Sequence, residues 1–192
     1  MQISRSLVAF ATVLLATVGA VVSSAPPAAA QKLPTPVIMV VDTQLVMRDS
    51  TAVKDLQQQA ETQRTQLEQQ AKSQEEGLRT ESQDLTRQRT VLSAEAFAQK
   101  RQQLEQKYAK FQYDISSKLD ELDARYSRGI SQVEVELVKI ADQLAAERGA
   151  NMVLPKTTLL LVHKDFEVTS EVLTRLNRSL PKMPLPTVPA KK

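Results

Sequence analysis

A chain of 192 residues with one histidine and no cysteine excludes disulfides, thiolate metal sites, cysteine nucleophiles, lipid attachment through cysteine and any multi-histidine metal centre. Its 25 basic and 22 acidic side chains leave a formal charge of only +3, too weak and too mixed to read as a nucleic-acid surface. No proline falls between Pro36 and Pro155, so the interior is free to form very long helices, and a narrow helical shaft works by geometry and surface rather than through a deep reactive pocket.

The first residues read as an address. Arg5 gives a positive start, Leu7 to Val22 form an apolar run interrupted by Thr12, Thr17 and Gly19, and Ala28-Ala29-Ala30 supplies the small-residue pattern that a signal peptidase accepts. Residues 1–30 are therefore expected to be a signal peptide cleaved after Ala30, which sends the mature chain out of the cytoplasm, to the periplasm in a two-membrane cell. The apolar run is shorter than the roughly 20 residues of a spanning helix.

Val37-Ile38-Met39-Val40-Val41 ends at Asp42 and is short and β-branched, which predicts a strand covered on both faces. From about Ser50 a helix is expected. Its markers Leu56, Ala60, Leu67, Ala71, Leu78, Leu85 and Leu92 are spaced four, seven, four, seven, seven and seven apart, which keeps one narrow seam on one side. Glutamine-rich stretches and Gly77 lie between the markers, so the shaft should flex.

After Leu92 the rhythm slips. Ser93 followed by Glu95 resembles a helix N-cap with an acid in the first turn, and from Phe97 a denser stripe continues through Leu104, Tyr108, Phe111, Ile115, Leu119, Leu122, Tyr126, Ile130, Val133, Leu137, Ile140 and Leu144. One rod of about 150 Å fits this pattern. An antiparallel hairpin turning near residues 92–97 fits it better, because the slip coincides with a cap and the two arms are of similar length.

Gly149 suits the left-handed end of that helix. Met152-Val153-Leu154 and Thr158 to Val162 then read as two strands of a β-hairpin around Pro155-Lys156-Thr157, with His163 a surface residue at the strand end. Thr169 is placed to cap a short helix from Ser170 to about Ser179, burying Val172, Leu173 and Leu176. Pro181, Pro184, Pro186 and Pro189 predict an extended, disordered tail over 181–192.

The expected fold is mostly α with a small β body. Residues 31–49 and 150–180 form an oligomerisation body, and 50–149 form a helical hairpin inserted between its strands. Bringing residue 38 beside residue 160 requires the intervening chain to return. So small a body buries little apolar surface, and Ile38, Val40, Leu159 and Leu161 are the candidates for contact between copies.

This order of strand, long helical hairpin, β-hairpin and capped helix behind a signal peptide resembles the Skp/OmpH family of periplasmic chaperones. The resemblance rests on Ile38-Met39-Val40-Val41-Asp42, on Gly149 to Leu154 through Leu161-Val162, and on Val168-Thr169-Ser170-Glu171-Val172-Leu173-Thr174-Arg175-Leu176-Asn177, and it covers Val37 to Leu180. It implies a homotrimer whose hairpins surround a cavity and hold unfolded outer-membrane proteins there without ATP. Relatives are often markedly basic, whereas this mature chain is near neutral, so only weak contact with an anionic membrane surface is expected.

Charge along the chain adds detail. Residues 54–78 sum to −2, 79–110 to +3 and 111–150 to −3. Arg79, Arg87, Arg89, Lys100, Arg101, Lys107 and Lys110 flank the expected turn as an electrostatic surface for clients, against the simpler reading of a solvated helix face. Tyr113 falls off the apolar stripe and is the aromatic candidate for client contact. The carboxylates Glu75-Glu76, Asp120-Glu121, Glu134 and Glu136 lie on helix faces with no expected cleft, so no enzyme, metal or cofactor is anticipated. A structural or adaptor coiled coil of the cell envelope is the alternative function.

Overall fold

A short β-branched apolar run suits a strand covered on both faces, and Ile38–Val41 form such a strand, β1, with Met39, Val40 and Val41 buried. The computed structural model describes residues 34–187; the expected signal peptide and residues 188–192 lie outside these.

Between β1 and the first long helix the chain makes a helix that the sequence pattern does not announce. Asp42 accepts a hydrogen bond from the Leu45 N–H at 2.9 Å and starts α1, Thr43–Asp49. Ser50, in an extended conformation, ends α1 and caps α2, Thr51–Arg87, by accepting from the Val53 N–H. A 3-10 turn at Gln88–Thr90 comes next, and Ser93 then caps α3, Ala94–Arg148. The connection over 88–93 therefore begins a few residues before the expected 92–97 window and overlaps it, because the helix phase breaks where α2 stops rather than where the next stripe starts. At about 1.5 Å per residue, α3 is roughly 80 Å long. It ends at Gly149 in the left-handed conformation, φ 66°.

β2, Met152–Pro155, lies parallel to β1 with Ile38 opposite Met152 and Val41 opposite Pro155. A parallel pair needs a long crossover, and here the whole helical hairpin supplies it. The expected β-hairpin is not formed. After Pro155 the chain enters a 3-10 turn at Lys156–Thr158, and Leu159 to Val162 pair with no strand among the described residues. The far side of β1 is instead met by Glu167, bridged to Val40. The apolar run in Thr158–Val162 thus has β-like composition without a strand to join among the described residues.

α4, Thr169–Ser179, buries Val172 and Leu176. Thr169 is not its cap: its hydroxyl oxygen accepts from the Asp42 N–H at 2.9 Å and the hydroxyl donates to Glu167, tying the end of β1 to the start of α4. Asn177 does the same at the other end of α1, accepting from the Thr51 N–H at 2.9 Å. The tail is corrected as well. Pro181 to Thr187 is extended but packed, with Leu185 only 7% exposed, because α2 and α3 offer its backbone hydrogen-bond partners.

The core lies in the body and the adjoining part of the hairpin, where Val40, Val41, Val46, Leu56, Val133, Leu144, Val172 and Leu176 are fully buried. Towards the turn the seam thins to Leu85 and Leu104, with polar ties such as Lys107 to Glu81 at 2.6 Å. Gly77 sits in this thin region and a Cβ there would meet nothing within 4 Å. Gly77→Ala should therefore express the full helix-propensity gain of about 1 kcal/mol. A thermal melt should show a midpoint about 2–4 °C higher; an unchanged or lower midpoint would mean that close packing at Gly77 sets the choice of residue.

Candidate functional site

The seven basic residues expected near the turn do surround it, but not as one patch. Lys107 and Lys110 lie roughly 20–25 Å along α3 from its first residue, at 1.5 Å per residue, well beyond a Debye length of about 8 Å at physiological salt. Most are already matched: Arg87 to Asp84 at 3.2 Å, Arg101 to Glu105 at 3.4 Å, Lys107 to Glu81 at 2.6 Å and Lys110 to Asp114 at 2.8 Å. Lys100 reaches the neutral Gln88 at 3.0 Å. Among the described residues, Arg79 and Arg89 form no ion pair. Of these seven, Arg79, Arg89 and Lys100 are thus the cations left for an outside partner.

Tyr113 is 73% exposed on α3, while Phe97, Tyr108, Phe111 and Tyr126 are partly covered. Between the helices on either side of Gly77 lie two open grooves. One is lined by Thr80, Glu81, Gln88, Lys100 and Gln103, the other by Gln74, Leu78, Lys107 and Phe111. Among the described residues no set of three or more His, Cys, Asp or Glu is placed to hold a metal ion, and no helix is long and apolar enough to cross a membrane.

On the body the expected contact residues separate. Val40 is 1% exposed and belongs to the chain's own core, so its side chain cannot face another copy. Ile38 and Leu159 are half-buried, and Leu161 is 92% exposed. Beside Leu161 stands Leu160, wholly exposed, with Met152, Val153 and Phe166 also exposed nearby in the chain. Leu160 lies in the same apolar run but was not among the expected contact residues, which were drawn from a strand that does not form. His163, also exposed, accepts from the Asp165 N–H in a 3-10 turn.

Ion pairs fasten α4 to the end of α3. Arg175 holds Glu147 by two bonds of 2.7 Å and Glu171 by a third, and Arg148 also reaches Glu171. Hydrogen bonding to Arg175 keeps the Glu147 carboxyl below its ordinary value, and the Ser179 hydroxyl does the same for Glu136. A depressed carboxylate pKa stabilises the fold at pH above the unfolded value and loses that effect as pH falls through the folded one. Glu147 is exposed and Glu136 half-buried beside Lys139 and Ser179, and solvent screening keeps the contribution of the exposed group small.

A family model described as outer membrane protein (OmpH-like) matches residues 37–176. A crystal structure of an OmpH-like protein from Caulobacter crescentus CB15 superposes with a TM-score of 0.73 at 16% identity, covering 82% of this chain and 94% of that one. At that identity the likeness shows the shared fold. No curated protein sequence matches the chain.

Proposed function

The chain belongs to the OmpH-like outer membrane protein family, and from that premise we propose that it is an ATP-independent holdase that captures unfolded outer-membrane proteins between helical hairpins. It acts in the periplasm as a homotrimer joined through its body, after removal of residues 1–30, and it is not an enzyme. The observation that carries this reading is the division of surface. Leu160 and Leu161 expose adjacent apolar side chains on the body, while the hairpin beyond it is long, thin and mostly polar outside its seam, its exposed large apolar side chains, Val91, Tyr113, Val135 and Val138, being scattered along it. The first surface suits permanent association, and the second suits contact without a fixed binding pocket.

A holdase must slow encounters between clients without holding them tightly. Open grooves, a lone exposed tyrosine and three unmatched cations provide weak, distributed contacts of this kind. Exposed charges add long-range attraction that raises the association rate more than the affinity.

Purified protein at a small molar excess should keep a urea-denatured outer-membrane barrel soluble on dilution, without nucleotide. The Arg79→Gln, Arg89→Gln, Lys100→Gln triple variant should slow capture at low salt and match the parent at high salt. Arg87→Gln, already paired to Asp84, should change little. Failure to keep the barrel soluble, together with a stable envelope partner in pull-downs, would replace this reading with that of an adaptor coiled coil.

A further inference from the structure

The tail expected to be free instead lies along α2 and α3 where they leave the body, and the way it is held is informative. The Met183 N–H donates to Asp55 Oδ2 at 3.1 Å, the Met183 carbonyl accepts from Gln59 Nε2 at 3.1 Å, and the Leu185 N–H donates to Gln59 Oε1 at 3.1 Å. Further along, the Pro186 carbonyl accepts from Arg125 Nε at 2.9 Å and the Thr187 carbonyl accepts from Arg128 at 3.2 Å. All five bonds go to main-chain atoms of the tail. One side-chain amide, that of Gln59, acts on it as the edge of a sheet would, donating and accepting two residues apart.

The contacts to the tail's side chains are apolar. Leu185 joins the buried cluster that contains Leu56 and Leu122, and Met183 packs against that cluster. In an extended chain residues two apart share a face, so the groove accepts an i, i+2 apolar pair. Gly129 lies beside both Leu56 and Pro186: a Cβ at position 129 would crowd Leu56 and stand at ordinary contact distance, 3.4 Å, from Pro186 Cδ. Prolines at 184 and 186 keep the segment extended and bring no N–H that would need a partner.

We propose that this groove, formed by Asp55, Gln59, Arg125, Arg128 and Gly129, is a binding site for extended unfolded polypeptide, which the chain's own Pro181–Thr187 occupies in cis and a captured client displaces. Recognition through the main chain tolerates sequence, and the required alternation of apolar residues is the pattern of a membrane-spanning barrel strand. The tail is thus a resident mimic of a client strand. A cis segment on a short tether acts at an effective concentration on the order of millimolar. A free strand therefore competes poorly, whereas one already confined between the hairpins competes well. The client's identity rests on the holdase reading; the groove itself does not.

The test uses a fluorescent peptide with the sequence of residues 181–192 and three proteins: the full chain, the chain ending at Leu180, and the full-length Leu185→Asp variant, which releases the tail without shortening it. Anisotropy should show saturable binding to the two released proteins and binding at least about tenfold weaker to the full chain. Adding Asp55→Ala and Gln59→Ala to the Leu185→Asp variant removes three hydrogen bonds and should weaken the peptide at least about tenfold. An unlabelled barrel-strand peptide with alternating apolar residues should compete, and its scrambled counterpart should not. Absence of binding to a released protein whose helix content is intact, equal binding to the full chain, or equal competition by both peptides would overturn the proposal. Peptide binding by a protein that fails to keep a denatured barrel soluble would sink the chaperone reading and leave the groove standing.

Discussion

Leu160→Asp combined with Leu161→Asp should yield a monomer with unaltered helix content and no ability to keep a denatured barrel soluble. Leu160 is wholly exposed and Leu161 92% exposed, so neither contributes packing within its own chain and the fold should not register the change. In an assembly they would be buried. Removing two buried leucines forfeits about 1.5–3 kcal/mol each, and enclosing a carboxylate in their place costs several kcal/mol more per ion. At about 1.4 kcal/mol per tenfold change, the leucine loss alone weakens each subunit contact by roughly a hundredfold to ten-thousandfold. Sedimentation equilibrium of parent and variant, with far-ultraviolet circular dichroism alongside, reads both parts of the expectation. An assembly of unchanged mass would show that the subunits meet elsewhere, and with it the enclosed cavity of the proposed function would lose its basis. Phe166→Ser, on a neighbouring exposed apolar side chain, should weaken assembly only partly.

The long-period features were plain in the sequence. Leu56 through Leu85 fix the seam of α2, Ser93 and Glu95 mark the start of α3, and Gly149 marks its end, because helix periodicity and capping are local properties that survive removal from their context. That the two ends of the hairpin must return to one body was legible too, since β-like runs at both ends need partners, but the expected neighbour of residue 38 was residue 160, whereas Ile38 pairs with Met152. Pairing direction was not legible. Met152 to Leu154 can pair parallel with β1 or antiparallel with Thr158 to Val162, and composition is silent between them; the choice is made by where α3 ends and by the Val37–Asn151 bonds that set the register. α1 stays hidden because seven residues between two capping side chains carry too little periodicity to stand out. The packing of the tail is hidden for a different reason. Its prolines correctly exclude helix, but they say nothing of the amide of Gln59 or the gap at Gly129, which lie more than fifty residues away in sequence. Tip charges were visible as types and invisible as pairs, since Lys107 finds Glu81 on the opposite helix.

Leu56→Ala should be the most damaging single truncation on the hairpin, and Gly129→Ala should repair part of it. Leu56 is fully buried where α2, α3 and the tail converge. Its loss should cost about 2–5 kcal/mol, through lost burial and the cavity left behind, with a fall in melting midpoint of roughly 10 °C. Gly129 lies opposite: a Cβ there would stand 2.7 Å from Leu56 Cδ2 and 3.0 Å from Cδ1. In the parent, alanine at 129 gains about 1 kcal/mol of helix propensity but overpacks against a side chain with nowhere to go, at about 1–3 kcal/mol, so it should be neutral to destabilising. With Leu56 cut back to alanine that obstruction is gone, the new methyl fills part of the cavity, and the propensity gain is realised. The double variant should therefore be more stable than Leu56→Ala alone by about 1–2 kcal/mol, a coupling well above the roughly 0.5 kcal/mol within which independent sites add. Urea unfolding of the four proteins in the cycle measures it. Additive effects would mean that α2 and α3 do not meet at Gly129, and the groove that holds the tail would lose its floor.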